Sequence, residues 1–228
     1  MPIGKIAKLS QFVTSNRLSR FHQVLANRTR HLTIILEDIY DPHNGSACLR
    51  SCEGCGVQEV HIIEDRHQFT ATDGVAMGTA RWLDLIHYNQ KSNSIQHHNT
   101  IACFQELHNR GYQIVAMTPH PAQLKSIEFD RLPIDQPVAL AFGCEKEGLT
   151  DTALQLADIH TQLPMQGFVE SYNISVACAI SVFQISSRIR KLLPEKSWQL
   201  NQADYQATLL QWLRSDIRNI DQVEQQLS

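Results

Sequence analysis

Cys48, Cys52 and Cys55 have the spacing with which three thiolates can hold an iron–sulfur cluster. A cluster needs its sulfurs to converge from a loop, whereas residues 45–56 read as a helix. Ala47, Cys48, Cys52 and Cys55 then share one helix face, and small buried residues at a helix–sheet contact are the simpler account. Gly143-x4-Gly148 begins like a phosphate loop but has Leu149 where the lysine belongs. Gly54-x-Gly56 lacks the third glycine of a dinucleotide site. Eleven histidines include no HExxH and no paired Cys/His finger, so no metal is expected.

The polar chemistry that survives lies in three segments. The first runs from Glu37 to Arg50, with Asn44 as a helix-capping candidate and Arg50 about a turn and a half further on. The second is Phe142-Gly143-Cys144-Glu145-Lys146-Glu147-Gly148-Leu149, where glycines allow a close backbone approach and Glu145 can cap a helix or hold a substrate group. The third, Leu163 to Ala177, combines a tight turn with a polar helix start at Ser171, Tyr172 and Asn173.

Elements must carry these segments. Residues 32–37, 58–63, 112–117 and 137–143 read as strands, with a weaker one at 160–164; residues 45–56, 94–110 and 173–192 read as helices. The alternation predicts an α/β fold, a mostly parallel sheet with helices on both faces. All three polar segments follow a strand, at the end where such a sheet holds its ligand. After Pro194, the spacing of Leu209, Leu213, Ile217, Ile220 and Leu227, with Trp212 beside them, predicts one more docked helix. The expected organisation is one domain over 31–192 with helical extensions at 1–30 and 193–228.

With 228 residues, 43% hydrophobic and 19% charged, the chain can bury a core and is not disordered. No apolar run approaches the roughly 18 residues of a membrane helix. No secretory-type stretch opens the chain, so a reducing, cytoplasmic setting with free thiols is expected. The acid-free start also reads as a mitochondrial presequence. A net charge of −3 excludes a uniform basic field. Even so, Lys5, Lys8, Arg17, Arg20, Arg28 and Arg30 all precede the first acid, Glu37, and Arg188, Arg190 and Lys191 cluster downstream. These are candidate phosphate contacts.

Together, PHNGSACLRSCEGCGV (42–57), AFGCEKEGL (141–149) and LPMQGFVESYNISVA (163–177) resemble the SpoU branch of the SPOUT superfamily, the RNA ribose 2′-O-methyltransferases. The likeness spans about residues 31–192. The basic start and the Arg188-x-Arg190 pair resemble those members that modify a guanosine (position 18) in the tRNA D-loop. The resemblance implies S-adenosylmethionine as methyl donor, tRNA as partner, a deep carboxyl-terminal trefoil knot, and a homodimer that completes the site. It makes Arg50 the catalytic candidate, with Asn44 positioning it or the target ribose. Glu145 would hold the RNA or the site's network, and Ser171 and Asn173 would organise the knotted site. The cofactor pocket would be lined by Met117, Thr118, Gly143, Leu163, Met165 and Asn173.

An arginine stays protonated in almost any setting, so whether Arg50 is a base or orients the hydroxyl through a phosphate is open at this point. Asp41 stands where the tRNA enzymes commonly have lysine, Tyr172 where leucine is usual, and Glu147 adds a further acid. These departures leave ribosomal RNA or another tRNA ribose as alternative targets. Two further classes remain: a radical-S-adenosylmethionine enzyme using the three cysteines, and an RNA-binding protein without catalysis.

Overall fold

The computed structural model describes residues 2–69, 78–91, 96–122 and 125–226, residues 2 and 3 by their backbone alone. Strands β1 (Leu32–Glu37), β2 (Glu59–Ile63), β3 (Asp84–Tyr88), β4 (Gln113–Met117), β5 (Val138–Phe142) and β6 (Ile159–Thr161) form one sheet. Its order is β3-β2-β1-β5-β4-β6 and every pairing is parallel. Strand alternation sorts the core into two faces. Leu32, Ile34 and Leu36 point to one, with α3 (Pro42–Gly54) and α6 (Ile174–Leu192); Ile35 points to the other, with α4 (His98–Asn109) and α5 (Asp151–Leu156). With both faces covered, β1, β2 and β5 are buried end to end, as a parallel sheet requires.

This is the expected α/β architecture, with local differences. Strand β3 was not anticipated, because its residues are half-buried at a sheet edge and give a weak apolar signal. The short α5 was also missed. Strand β6 is shifted to Ile159–Thr161, ahead of the anticipated 160–164. The helix expected over 94–110 is described from His98; its positions 94 and 95, like Leu227, lie outside the described residues.

A third apolar cluster is built from distant parts of the chain. Leu9 of α1 (Pro2–Leu9) and Phe21 and Leu25 of α2 (Ser15–Leu25) pack with Leu209, Trp212 and Leu213 of α8 (Gln202–Asp216). Trp82 joins them, its ring centroid 5.7 Å from Phe21 and 5.6 Å from Trp212. Between α6 and α8 lies a single turn, α7 (Glu195–Trp198), whose Trp198 is buried against the core. Where one tail helix was anticipated there are two: Asn219, with φ of 53°, breaks the run before α9 (Ile220–Gln226).

Charge is used differently at the two ends of the sheet. At the amino-terminal end of the strands, buried Glu59 receives Arg30 at 3.0 Å and Arg110 at 2.7 Å, and lies 2.8 Å from His61 Nε2. Burial pushes Glu59 up, but His61 and Arg110 bring its carboxyl below the usual value. The opposite end carries the site.

Candidate active site

Strands β1 and β5 are neighbours whose outgoing connections run to opposite sides, β1 toward β2 and β5 toward β6. A crevice at such a switch point is where open α/β sheets bind ligands. Helix α3 leaves β1 here, with Pro42 in its first turn and the Asp41 side chain accepting from His43 N at 2.9 Å. The cap is therefore Asp41, not Asn44 as expected, because proline suits the first helical position and fixes the start there. Asn44 is left free to bond elsewhere.

Its amide joins the three polar segments. Asn44 Nδ2 donates to Glu145 Oε1 at 2.8 Å, and Asn44 Oδ1 accepts from Asn173 Nδ2 at 3.2 Å. Asn173 Oδ1 in turn caps α6, accepting from Ser175 N at 2.8 Å and Ser175 Oγ at 2.6 Å. Glu145 is thus a partner of Asn44 and not a helix cap; α5 is capped by Thr150.

Glu145 rides on a turn that only glycine permits. A Cβ at Gly143 would lie 2.0 Å from the Gly148 carbonyl carbon and 2.1 Å from Leu149 N. Gly148 has φ of 72° and donates to Cys144 O at 3.0 Å, closing the turn.

Arg66 escaped the sequence reading. Its Nε donates to Asp38 Oδ2 at 3.0 Å and its Nη1 bonds Glu147, so it ties the loop after β2 to those after β1 and β5. Its hydrogen bonds to Glu147 and then to Asp38 hold Arg66 above its ordinary pKa. The two acids that depart from the resemblance are therefore occupied: Asp41 caps a helix and Glu147 is paired. Beneath them, burial raises the pKa of the Glu37 carboxyl, and the bonds donated by Thr100 and Thr150 offset this only in part. A recurring Glu-Asp at the carboxyl end of a buried strand, at 37–38 and 64–65, was the available signal for this network.

Arg50 is exposed on α3 and its side chain, among the described residues, makes no hydrogen bond or ion pair. Ser171 is exposed in the loop before α6. Met117 ends β4, Thr118 N donates to Thr161 O at 2.9 Å, and Gly143 follows β5. These strand ends lie side by side. Met117 and Leu163 are partly buried against the core, and Met165 is half-buried beyond them.

The basic residues are mostly engaged. Lys5 pairs with Glu224 at 3.1 Å, Arg17 with Asp216 at 2.6 Å, and Arg30 with Glu59 and Asp84. Arg28 is only 1% exposed, bonded to Val57 O and Glu53, which gives it an internal role. Arg188 donates to Leu132 O, and Arg190 to the carbonyls of Asn27 and Cys55. Arg20, Lys8 and Lys191 are exposed. The cysteines behave as helix-packing residues. Cys48 and Cys52 are buried on α3 beside Cys178 of α6, and the pKa of Cys48 is raised by its bond to Cys178 and by burial.

Residues 31–183 match the model of the SpoU rRNA Methylase family, and the chain belongs to that family. It is 35% identical over 222 residues to the tRNA (guanosine(18)-2′-O)-methyltransferase of Borreliella burgdorferi, covering 97% of this chain and 95% of that one. It is 32% identical to the enzyme of the same name from Thermus thermophilus, over 88% of this chain and 97% of that one. Its fold matches the A. aeolicus TrmH/SpoU tRNA modifying enzyme with a TM-score of 0.75 at 24% identity, covering 89% of this chain and 97% of that one.

Proposed function

We propose that the chain transfers a methyl group from S-adenosylmethionine to a ribose 2′-oxygen in tRNA, that of guanosine 18 in the D-loop. The observation that carries the reading is the hydrogen-bonded chain Glu145–Asn44–Asn173 at the switch point of a methylase-family sheet. S-adenosylmethionine, when bound, would supply a sulfonium methyl that the ribose oxygen takes as its proton passes to water, leaving the neutral thioether. The strand ends fit it. Half-buried Met117, Leu163 and Met165 offer an apolar bed, and the backbone of Thr118 and Gly143 beside them offers hydrogen bonds to an adenosine edge.

The chain's own residues then orient the ribose. Asn44 is fixed at both ends of its amide, so it presents a rigid wall with Asn173, and Glu145 holds that wall in place. An exposed guanidinium suits an RNA phosphate, so Arg50 orients the target nucleotide through its phosphate instead of removing the proton. Ser171 completes the loop leading to Asn173. Arg20 and Lys191 are the foremost phosphate contacts, with Lys8 beside them, Lys5, Arg17 and Arg30 in exchangeable ion pairs, and Arg188 and Arg190 bonded to backbone carbonyls.

The trefoil knot belongs to the same proposal. Its support is the path of the chain: segment 126–134 bonds β6 through Ile127 and α6 through Leu132, while the chain leaving β6 at the sheet edge crosses to pack α6 on α3. A homodimer is supported by an exposed apolar stripe on α6, Val176, Ile180 and Phe183, at helical spacing, with Leu192 beyond. Among the described residues no helix is long and apolar enough to cross a membrane; a cytoplasmic enzyme is the reading adopted. The catalytic domain is assigned to 31–192, with residues 1–30 and 193–228 as a helical RNA-facing layer.

The test is transfer of labelled methyl from S-adenosylmethionine to unmodified bulk tRNA, followed by nucleoside analysis. The expected product is 2′-O-methylguanosine at position 18. Product on ribosomal RNA or another tRNA ribose would move the target. Cofactor binding with no transfer to any RNA would overturn the enzyme in favour of a non-catalytic RNA binder.

A further inference from the structure

Tyr40 is 70% exposed on the loop between β1 and α3, four residues before Asn44. Its ring meets that of His67 at 77°, with centroids 5.2 Å apart. The contact is built by Asp38, which is wholly buried and holds φ of 53° although it is not a glycine. Asp38 Oδ1 accepts from Arg66 N at 2.7 Å and His67 N at 3.3 Å, and Asp38 N donates to Ile63 O at 2.9 Å. The loops after β1 and β2 are thereby locked together with His67 against one part of the Tyr40 ring.

We infer that Tyr40 is a stacking platform for an unpaired base of the substrate RNA, adjacent to the ribose that is methylated. The inference rests on the methyltransferase reading and adds the residue that receives a base. An unstacked nucleobase needs one flat apolar surface and polar groups at its edge. Tyr40 offers the surface, and its surroundings in the chain are polar: Asp38, Asp41, Asn44, Arg66 and His67. A second copy of the chain would call for an apolar patch, and that patch lies elsewhere, along α6.

The experiment uses the full chain with Tyr40→Ala and Tyr40→Phe, and measures the Kd for unmodified tRNA in the presence of S-adenosylhomocysteine, which cannot react. Tyr40→Ala is expected to weaken tRNA binding about ten-fold. Tyr40→Phe should bind within about two-fold of the parent, since a phenyl ring stacks as well. The Tyr40→Ala ratio should persist as salt is raised, because stacking releases no counterions. S-adenosylmethionine affinity and thermal midpoint should not change, the ring being exposed. Parental tRNA affinity in Tyr40→Ala, an equal loss in Tyr40→Phe, or a changed oligomeric state with unchanged RNA affinity would each overturn the platform. The two readings fail separately. Loss of tRNA affinity in Tyr40→Ala from a parent that transfers no methyl leaves the platform and removes the enzyme. Normal transfer and affinity in Tyr40→Ala does the reverse.

Discussion

Asn44 is the residue on which the site turns, since one amide satisfies both Glu145 and Asn173 across 101 and 129 residues of sequence. The types of these residues were legible in the sequence, because each lies just beyond an apolar strand in a polar segment. Their pairing was not: the capping chemistry of Asn44 is equally that of Asp41, and Pro42 settles the helix start on the latter. Arg66 was invisible for a similar reason: its partners Asp38 and Glu147 are 28 and 81 residues away, and a lone arginine in a loop is ordinary. Arg50 stands apart from this network, which makes its variant informative. Arg50→Ala should lower turnover at least about 100-fold while S-adenosylmethionine affinity stays within a few-fold, read by single-turnover kinetics and calorimetry. Near-parental turnover would remove Arg50 from the mechanism.

At the scale of elements, the strands with continuous apolar runs were readable and the half-buried edge strand β3 was not. The turn after β5 has the least freedom. Gly143→Ala places a methyl into the backbone of Gly148, so the turn must open, at a cost of roughly 2 kcal/mol or more. The thermal midpoint should fall, and cofactor binding should weaken with it. Strand β2 is pinned at its other end by Glu59. Its native pKa lies below the unfolded value of about 4.3, so its contribution is intact above that value. It is lost as the pH falls through the lowered native pKa. Glu59→Gln should therefore cost roughly 2 kcal/mol at neutral pH, and the gap to the parent should narrow on acidification in denaturant titrations.

At the scale of the whole molecule, the stripe on α6 is the feature most in need of a partner. Phe183 is 67% exposed at its centre. If the proposed homodimer uses this stripe, Phe183→Glu should shift the mass measured by light scattering from two copies toward one; a mass that stays at two copies would place the contact elsewhere, and a parent of one copy would remove the dimer. The basic clusters show how far composition reaches. Six cations ahead of the first acid were plain in the sequence, but the pairing of four of them, Lys5, Arg17, Arg28 and Arg30, with Glu224, Asp216, Glu53, Glu59 and Asp84 depends on how the chain returns to itself.

That return has a consequence for how the protein is made. Helices α1 and α2 bury much of their apolar faces against α8, and roughly 190 residues separate Leu9 and Phe21 from Trp212 and Leu213. At ordinary translation speeds, about 5–20 residues per second, those two helices wait roughly 10–40 s on the ribosome for the Trp212 and Leu213 side of their cover. The sheet can form in the meantime, so the earliest residues synthesised are among the last to be packed, and any chaperone or protease acting on the nascent chain meets them first.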